Sequence, residues 1–232
     1  MPTMPEIYQS YSKEYDELVS YEDYQGNLRK FITNDIDIKD KKIIEMGAGT
    51  GRITKMLIPT AKSIQVYDGS GHMFEFAKKE LAEYQSKLSF NVCNNIDIES
   101  IKEKADILIE GWSFGHTIIQ RFDDFDNTLD KLVKGCLNIL NPGGQIIIIE
   151  TMGTNTEIAK APSEGLSLFY LELEKSYGFE KRIIRTDYNF KTNQKAKELL
   201  GFFFGEELKN SIVFDGEGIV REHTGIWIKT KV

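Results

Sequence analysis

Cysteine is scarce in this chain, with two thiols, Cys93 and Cys136, among 232 residues. Two thiols cannot build a disulfide framework or a four-ligand zinc site, and each falls in an apolar stretch suited to an ordinary buried thiol, so no metal is expected. Long apolar runs are missing too. The longest, "IIIIE" and "LGFFFG", fall far short of the roughly 20 residues that span a bilayer. The N-terminal "MPTMPEIYQSYSKEYDELV" has no basic flank followed by an apolar core and so does not read as a secretory signal. A cytoplasmic, reducing location with no membrane partner is the expectation. Positive charge is in deficit as well: the net charge of −7 argues against a surface built to neutralise a phosphate backbone, and so against nucleic acid as a partner.

What is present is an ordinary globular balance, 41% hydrophobic and 28% charged, on a length that one domain can fill. We expect a single domain over 1–232, without repeats or linkers. Strand-length apolar runs at 42–46, 63–67, 88–93, 105–110 and 145–150 alternate with helical patterns at 51–57, 73–84 and 125–140. This alternation is that of a parallel sheet covered by helices on both faces, a doubly wound α/β fold. Asn141, Pro142, Gly143 and Gly144 predict a sharp turn before the fifth strand. One or two short helices are expected in 1–31 and a helical cover over the strand ends at about 151–180. Strands at 181–190 and 221–232, separated by a helix at about 193–208, complete the reading.

The informative chemistry is in "KIIEMGAGTGRIT", where an apolar strand runs into Gly47, Gly49 and Gly51 and then into a helix. Alternate glycines let the backbone turn tightly and approach a ligand, while the helix that follows presents free amides. A dinucleotide fingerprint would need glycine where this chain has Arg52. About twenty residues on, "VYDGSGHM" places Asp68 at the end of the second strand, where a carboxylate can accept two ribose hydroxyls.

Together with "ADILIEGWSFGH" and "LNILNPGGQIIIIET", these motifs resemble the class I S-adenosylmethionine-dependent methyltransferases. The likeness is strongest to the small-molecule branch similar to the C-methyltransferases of ubiquinone and menaquinone biosynthesis. It covers nearly the whole chain. The resemblance implies a Rossmann-like seven-stranded sheet, mostly parallel, with an antiparallel last strand inserted beside the fifth. It also implies S-adenosylmethionine as the cofactor and a small-molecule methyl acceptor as the partner. Gly47, Ala48 and Gly49 would contact the methionine portion, with Glu45 and Gly51 supporting the turn, and Asp68 would hold the ribose. Gly69 and Met73 would lie near the adenosine, with Asn94 or Asn95 standing where an aspartate commonly meets the adenine amine. Trp112 and Glu110 would floor the pocket. Tyr8, Tyr15 and Arg29, from the segment that lies across the cofactor in similar enzymes, would meet the methionine carboxylate. His116 and Glu110 are the candidate bases, and Tyr11, Thr151, Tyr170, Arg185 and Tyr188 the candidate acceptor-binding residues. His72 and His223 carry less weight.

Methyl transfer demands mainly alignment, since the sulfonium is already activated, so no catalytic triad is expected. Two other classes stay open at this point. An NAD-dependent oxidoreductase is disfavoured by Arg52, and a non-catalytic protein that binds the cofactor shares every motif above.

Overall fold

The computed structural model describes residues 3–232, without the Pro5 side chain. A run of four isoleucines shows why the centre folds as it does. Ile146 and Ile148 enter one apolar cluster while Ile147 and Ile149 enter another. A strand buried on both faces needs apolar residues at every position, and this requires helices on both sides of the sheet.

The sheet contains β1 (Lys42–Met46), β2 (Ser63–Asp68), β3 (Leu88–Val92), β4 (Ala105–Gly111), β5 (Leu140–Thr154), β6 (Glu180–Arg185) and β10 (Glu222–Thr230). Their spatial order is β3-β2-β1-β4-β5-β10-β6. The strands from β1 to β5 pair in parallel, and β10 pairs antiparallel with both β5 and β6. The last strand therefore sits beside the fifth, as the resemblance implies. A second sheet of three short strands, β7 (Tyr188–Asn189), β8 (Phe214–Gly216) and β9 (Ile219–Val220), stands apart from it.

One face of the main sheet carries α6 (Phe114–Gln120), α7 (Phe125–Ile139) and α8 (Glu164–Lys175), which bury Phe114, Leu132 and Phe169 against Ile148 and Trp227. The other carries α3 (Asn27–Lys30), α4 (Arg52–Leu57) and α5 (Gly71–Glu80), with Leu28, Leu57 and Phe74 against Ile147 and Ile226. A third cluster joins α1 (Met4–Ser10), α2 (Ser12–Ser20) and α9 (Asn193–Phe204) to the small sheet through Ile7, Leu18, Leu200 and Tyr188. The chain between α9 and β8 forms α10 (Glu206–Ser211).

Several expectations are corrected. The strand expected over 181–190 breaks after Arg185, because the buried Asp187 carboxylate accepts the Glu222 amide at 3.0 Å and turns Tyr188 into the small sheet. The helix expected over 193–208 breaks at Gly205, whose φ of 98° no continuous helix can hold. The turn at Asn141–Gly144 is a bulge inside β5: Ala105 pairs with Leu140, yet Ile107 pairs with Gln145. The segment before β1 forms three short helices and a π-helical turn, Phe31–Asp35, rather than one or two helices. Residues 151–154 continue β5, and α8 belongs to a face layer, so the expected cover does not form there. The covering elements are α1 and α2.

Trp227 is wholly buried, lies 4.4 Å from the Tyr170 ring, and donates its indole N–H to Glu174 at 3.2 Å. Trp227→Ala is expected to cost about 3–5 kcal/mol of stability, read as a lowered urea midpoint at unchanged slope. A loss under about 1 kcal/mol would contradict this packing.

Candidate active site

The strand order reverses at β1, whose neighbours β2 and β4 lead to opposite faces, and a crevice opens there at the carboxyl ends of the strands. It holds a cavity of about 600 Å³. Its walls come from the turns after β1, β2, β3 and β4, from α6, and from α1 and α2 above.

After β1 the chain turns through Gly47, Gly49 and Gly51 with φ of 65°, 55° and 86°, values that side chains beyond glycine rarely tolerate. Gly47 has a second reason to be glycine, since a Cβ there would stand 2.0 Å from the Ser113 hydroxyl. The turn is held from β2. Asp68 Oδ2 accepts the Gly49 amide at 2.8 Å and Oδ1 accepts the Ser70 amide at 2.7 Å. Burial raises the Asp68 pKa, and these two amides work against that rise. Ser70 accepts from Met73 to cap α5 and donates its hydroxyl to the Tyr8 carbonyl at 2.8 Å, fastening α1 across the crevice.

At the end of β3, the Asn95 amide nitrogen donates to the Ser113 carbonyl and to the Thr117 hydroxyl at 3.0 Å, committing its N–H groups to α6. The Asn94 oxygen lies 2.8 Å from where a Gly69 Cβ would be. Trp112, beyond β4, has a φ of 54° and donates its backbone N–H to the Ile149 carbonyl at 2.7 Å, with the Arg52 guanidinium 4.5 Å from its ring centre. His116, in α6, meets Tyr8 across the cavity, with Nε2 and the phenol oxygen 3.1 Å apart. Burial lowers the His116 pKa, which keeps the ring neutral at physiological pH. Tyr15 packs edge-on against Tyr8 at 5.6 Å.

The cavity thus gathers Tyr8, Tyr15, Gly47, Gly49, Asp68, Gly69, Met73, Asn94, Asn95, Trp112 and His116 of the residues singled out from the sequence. Others lie elsewhere. Ala48 and Gly51 shape the turn from behind, as does Glu45, which accepts the Thr54 hydroxyl at 2.6 Å. Glu110 is wholly buried behind α6. Arg29 lines a separate space of about 300 Å³ beside Asp16 and Glu22. Tyr11 packs on Phe202, and Thr151 donates its hydroxyl to Glu222. Tyr170 donates to the Thr151 carbonyl, Arg185 forms a two-pronged pair with Asp187, and Tyr188 stacks on Phe190. None of these five acceptor candidates reaches the cavity wall. Thr117, Gln120 and Arg121 also line it, as does Ser113, whose residue type suggests a helix cap rather than a cavity wall. Three of them, Ser113, Thr117 and Gln120, recur at i, i+4 and i+7, a helical stripe that the sequence does display.

Four buried carboxyls surround this site. Burial pushes Glu110 up to about 7, Glu45 and Glu222 up to about 8, and Glu150 well above the usual range. Each is raised in the folded state, so its contribution to stability is complete below the ordinary value of about 4.5 and is lost as pH rises through the folded value. The melting temperature is expected to fall between pH 5.5 and pH 8.5. A rise over that window in a thermal scan would contradict the burial of these groups.

Comparison with known proteins converges on one chemistry. The family model described as AdoMet-dependent proline di-methyltransferase matches residues 17–164. The chain is 28% identical to the malonyl-[acyl-carrier protein] O-methyltransferase of Acetivibrio thermocellus, covering 91% of this chain and 71% of that protein. It is 30% identical to the Priestia megaterium enzyme of the same name over 64% of this chain, spanning about half (51%) of that relative. Among solved structures, the DhpI-SAM-HEP complex shares the fold with a TM-score of 0.57 at 13% identity, covering 96% of this chain and 94% of that one. The chain belongs to the AdoMet-dependent proline di-methyltransferase family and is a class I S-adenosylmethionine-dependent methyltransferase.

Proposed function

We propose that this chain methylates the amine of a small acceptor that enters the cavity beside Tyr8 and His116. The methyl donor fits the walls described above. Asp68 is fixed by two backbone amides yet keeps lone pairs on both oxygens for ribose hydroxyls. Asn95, with its N–H groups committed to α6, keeps its oxygen to accept an adenine amine. S-adenosylmethionine, when bound, supplies an electrophilic methyl on a sulfonium, and the chain's own residues align the nucleophile with it and exclude water.

One observation carries the acceptor assignment: the neutral His116 ring held 3.1 Å from the Tyr8 hydroxyl in the cavity wall. An amine that arrives protonated must give up a proton before its lone pair can attack the methyl, and a neutral imidazole can take it. The names of the relatives point to two acceptor chemistries, a prolyl amine and a malonyl carboxylate. Among the described residues the wall offers one guanidinium, Arg121, and no lysine, whereas it carries Tyr8, Tyr15 and Trp112. That composition suits a cationic or neutral amine better than an anion. Arg52, paired with Glu22 at 2.7 Å, stands at the position where a dinucleotide site needs its third glycine. With two free thiols and no described helix long and apolar enough to cross a membrane, we place the activity in the cytoplasm.

Asp68→Ala is expected to raise the Kd for S-adenosylmethionine by about tenfold or more, measured by calorimetry on folded protein. An unchanged Kd would remove the ribose role. His116→Gln should leave that Kd in place and lower kcat toward an amine by about 10²-fold or more. The acid limb of wild-type kcat should have its midpoint below the ordinary histidine value of about 6.5. Transfer to a carboxylate with none to any amine would contradict the amine assignment.

A further inference from the structure

The first turn of α6 carries His116, and every helix begins with amides that have no partner inside the helix. Ser113 occupies the capping position, but its side chain does not cap. Two glutamates from neighbouring strands take over. Glu110, at the end of β4, accepts the Ser113 amide and, at 2.9 Å, the Phe114 amide through one oxygen. Glu150, on β5, accepts the Gly115 amide at 2.6 Å. Three successive amides, the three residues directly before His116, are therefore held by two carboxyls that are 0% and 4% exposed. Neither carboxyl lines the cavity.

Gly115 belongs to the same arrangement. A Cβ there would lie 2.9 and 3.0 Å from the two Glu150 oxygens and 2.8 Å from the Leu166 side chain. The residue before His116 thus has no side chain because Glu150 occupies the space. On the far side of the ring, Tyr8 fixes Nε2.

We propose that Glu110 and Glu150 are positioning residues which hold the first turn of α6 so that His116 faces the reacting amine. The proposal rests on the reading of His116 as proton acceptor, and it assigns Glu110 no contact with substrate. The oxygen that accepts the amide is the working part, and the negative charge is not. Burial of two neighbouring carboxyls favours the protonated form of both, so glutamine is a close stand-in.

The test compares Glu150→Ala, Glu150→Gln and Gly115→Ala in the full chain, with His116→Gln alongside. Glu150→Ala should lower kcat by about 10- to 100-fold with little change in the KM for S-adenosylmethionine, and should shift the His116 imidazole resonances in NMR spectra. Glu150→Gln should restore both. Gly115→Ala, which displaces Glu150 without removing it, should move both in the same direction as Glu150→Ala and serves if that variant does not fold. Unmoved His116 resonances in Glu150→Ala and Gly115→Ala, or a glutamine variant as impaired as alanine, would overturn the positioning role. If His116→Gln keeps the wild-type rate while Glu150→Ala still shifts the imidazole, the positioning role stands and the proton-acceptor reading is the one that fails.

Discussion

The carboxylate of Asp68 is the constraint on which the rest of the site depends. One oxygen holds the Gly49 amide in the turn after β1, and the other holds the Ser70 amide at the start of α5. Two loops from adjacent strands are thereby locked to each other across the crevice. The same bonds keep a half-buried carboxyl usable, because loss of solvent alone would favour its protonated form. Ser70 then passes the constraint on, capping α5 and binding the backbone of α1. Asp68, the glycine turn and the covering helix form one connected unit.

The opposite wall is built by a different device. The first turn of α6 is capped from below by residues of β4 and β5, and its exposed side presents Ser113, His116 and Thr117. Tyr8 spans the two walls, with its carbonyl on Ser70 and its hydroxyl against His116. A third tie, the nearly buried Arg52–Glu22 pair, joins the segment after α2 to the helix that follows the glycine turn. The covering segment is thus anchored on both sides of the crevice by side chains whose partners are far away in sequence.

The parts of this arrangement that local chemistry dictates were legible in the sequence. Glycines at 47, 49 and 51 have few uses other than a tight turn, four successive isoleucines imply a doubly covered strand, and the distance from Gly47 to Asp68 is that of one crossover. What depends on distant partners was not legible. Arg185 and Tyr188 looked like acceptor contacts, but Asp187, bound by the Glu222 amide from far along the chain, pairs with the arginine and breaks the strand, so that the tyrosine turns into the second sheet and is buried there. Tyr170 was consumed by Trp227, more than fifty residues on. Glu110 was placed correctly at the end of its strand, yet a strand position does not say which way a side chain faces when the amides of the next helix compete for it. Ser113 shows the converse: its type suggests a cap, and the glutamates took that role.

S-adenosylmethionine is expected in the crevice with its ribose on Asp68 and its methyl toward Tyr8 and His116. The most direct measurement is a crystal structure with S-adenosylhomocysteine. Both ribose hydroxyls are expected on the Asp68 carboxylate, the adenine beside Asn95, and the sulfur on the Tyr8–His116 side. A cofactor seated in the space beside Arg29 and Glu22, or turned so that adenine faces His116, would contradict this placement.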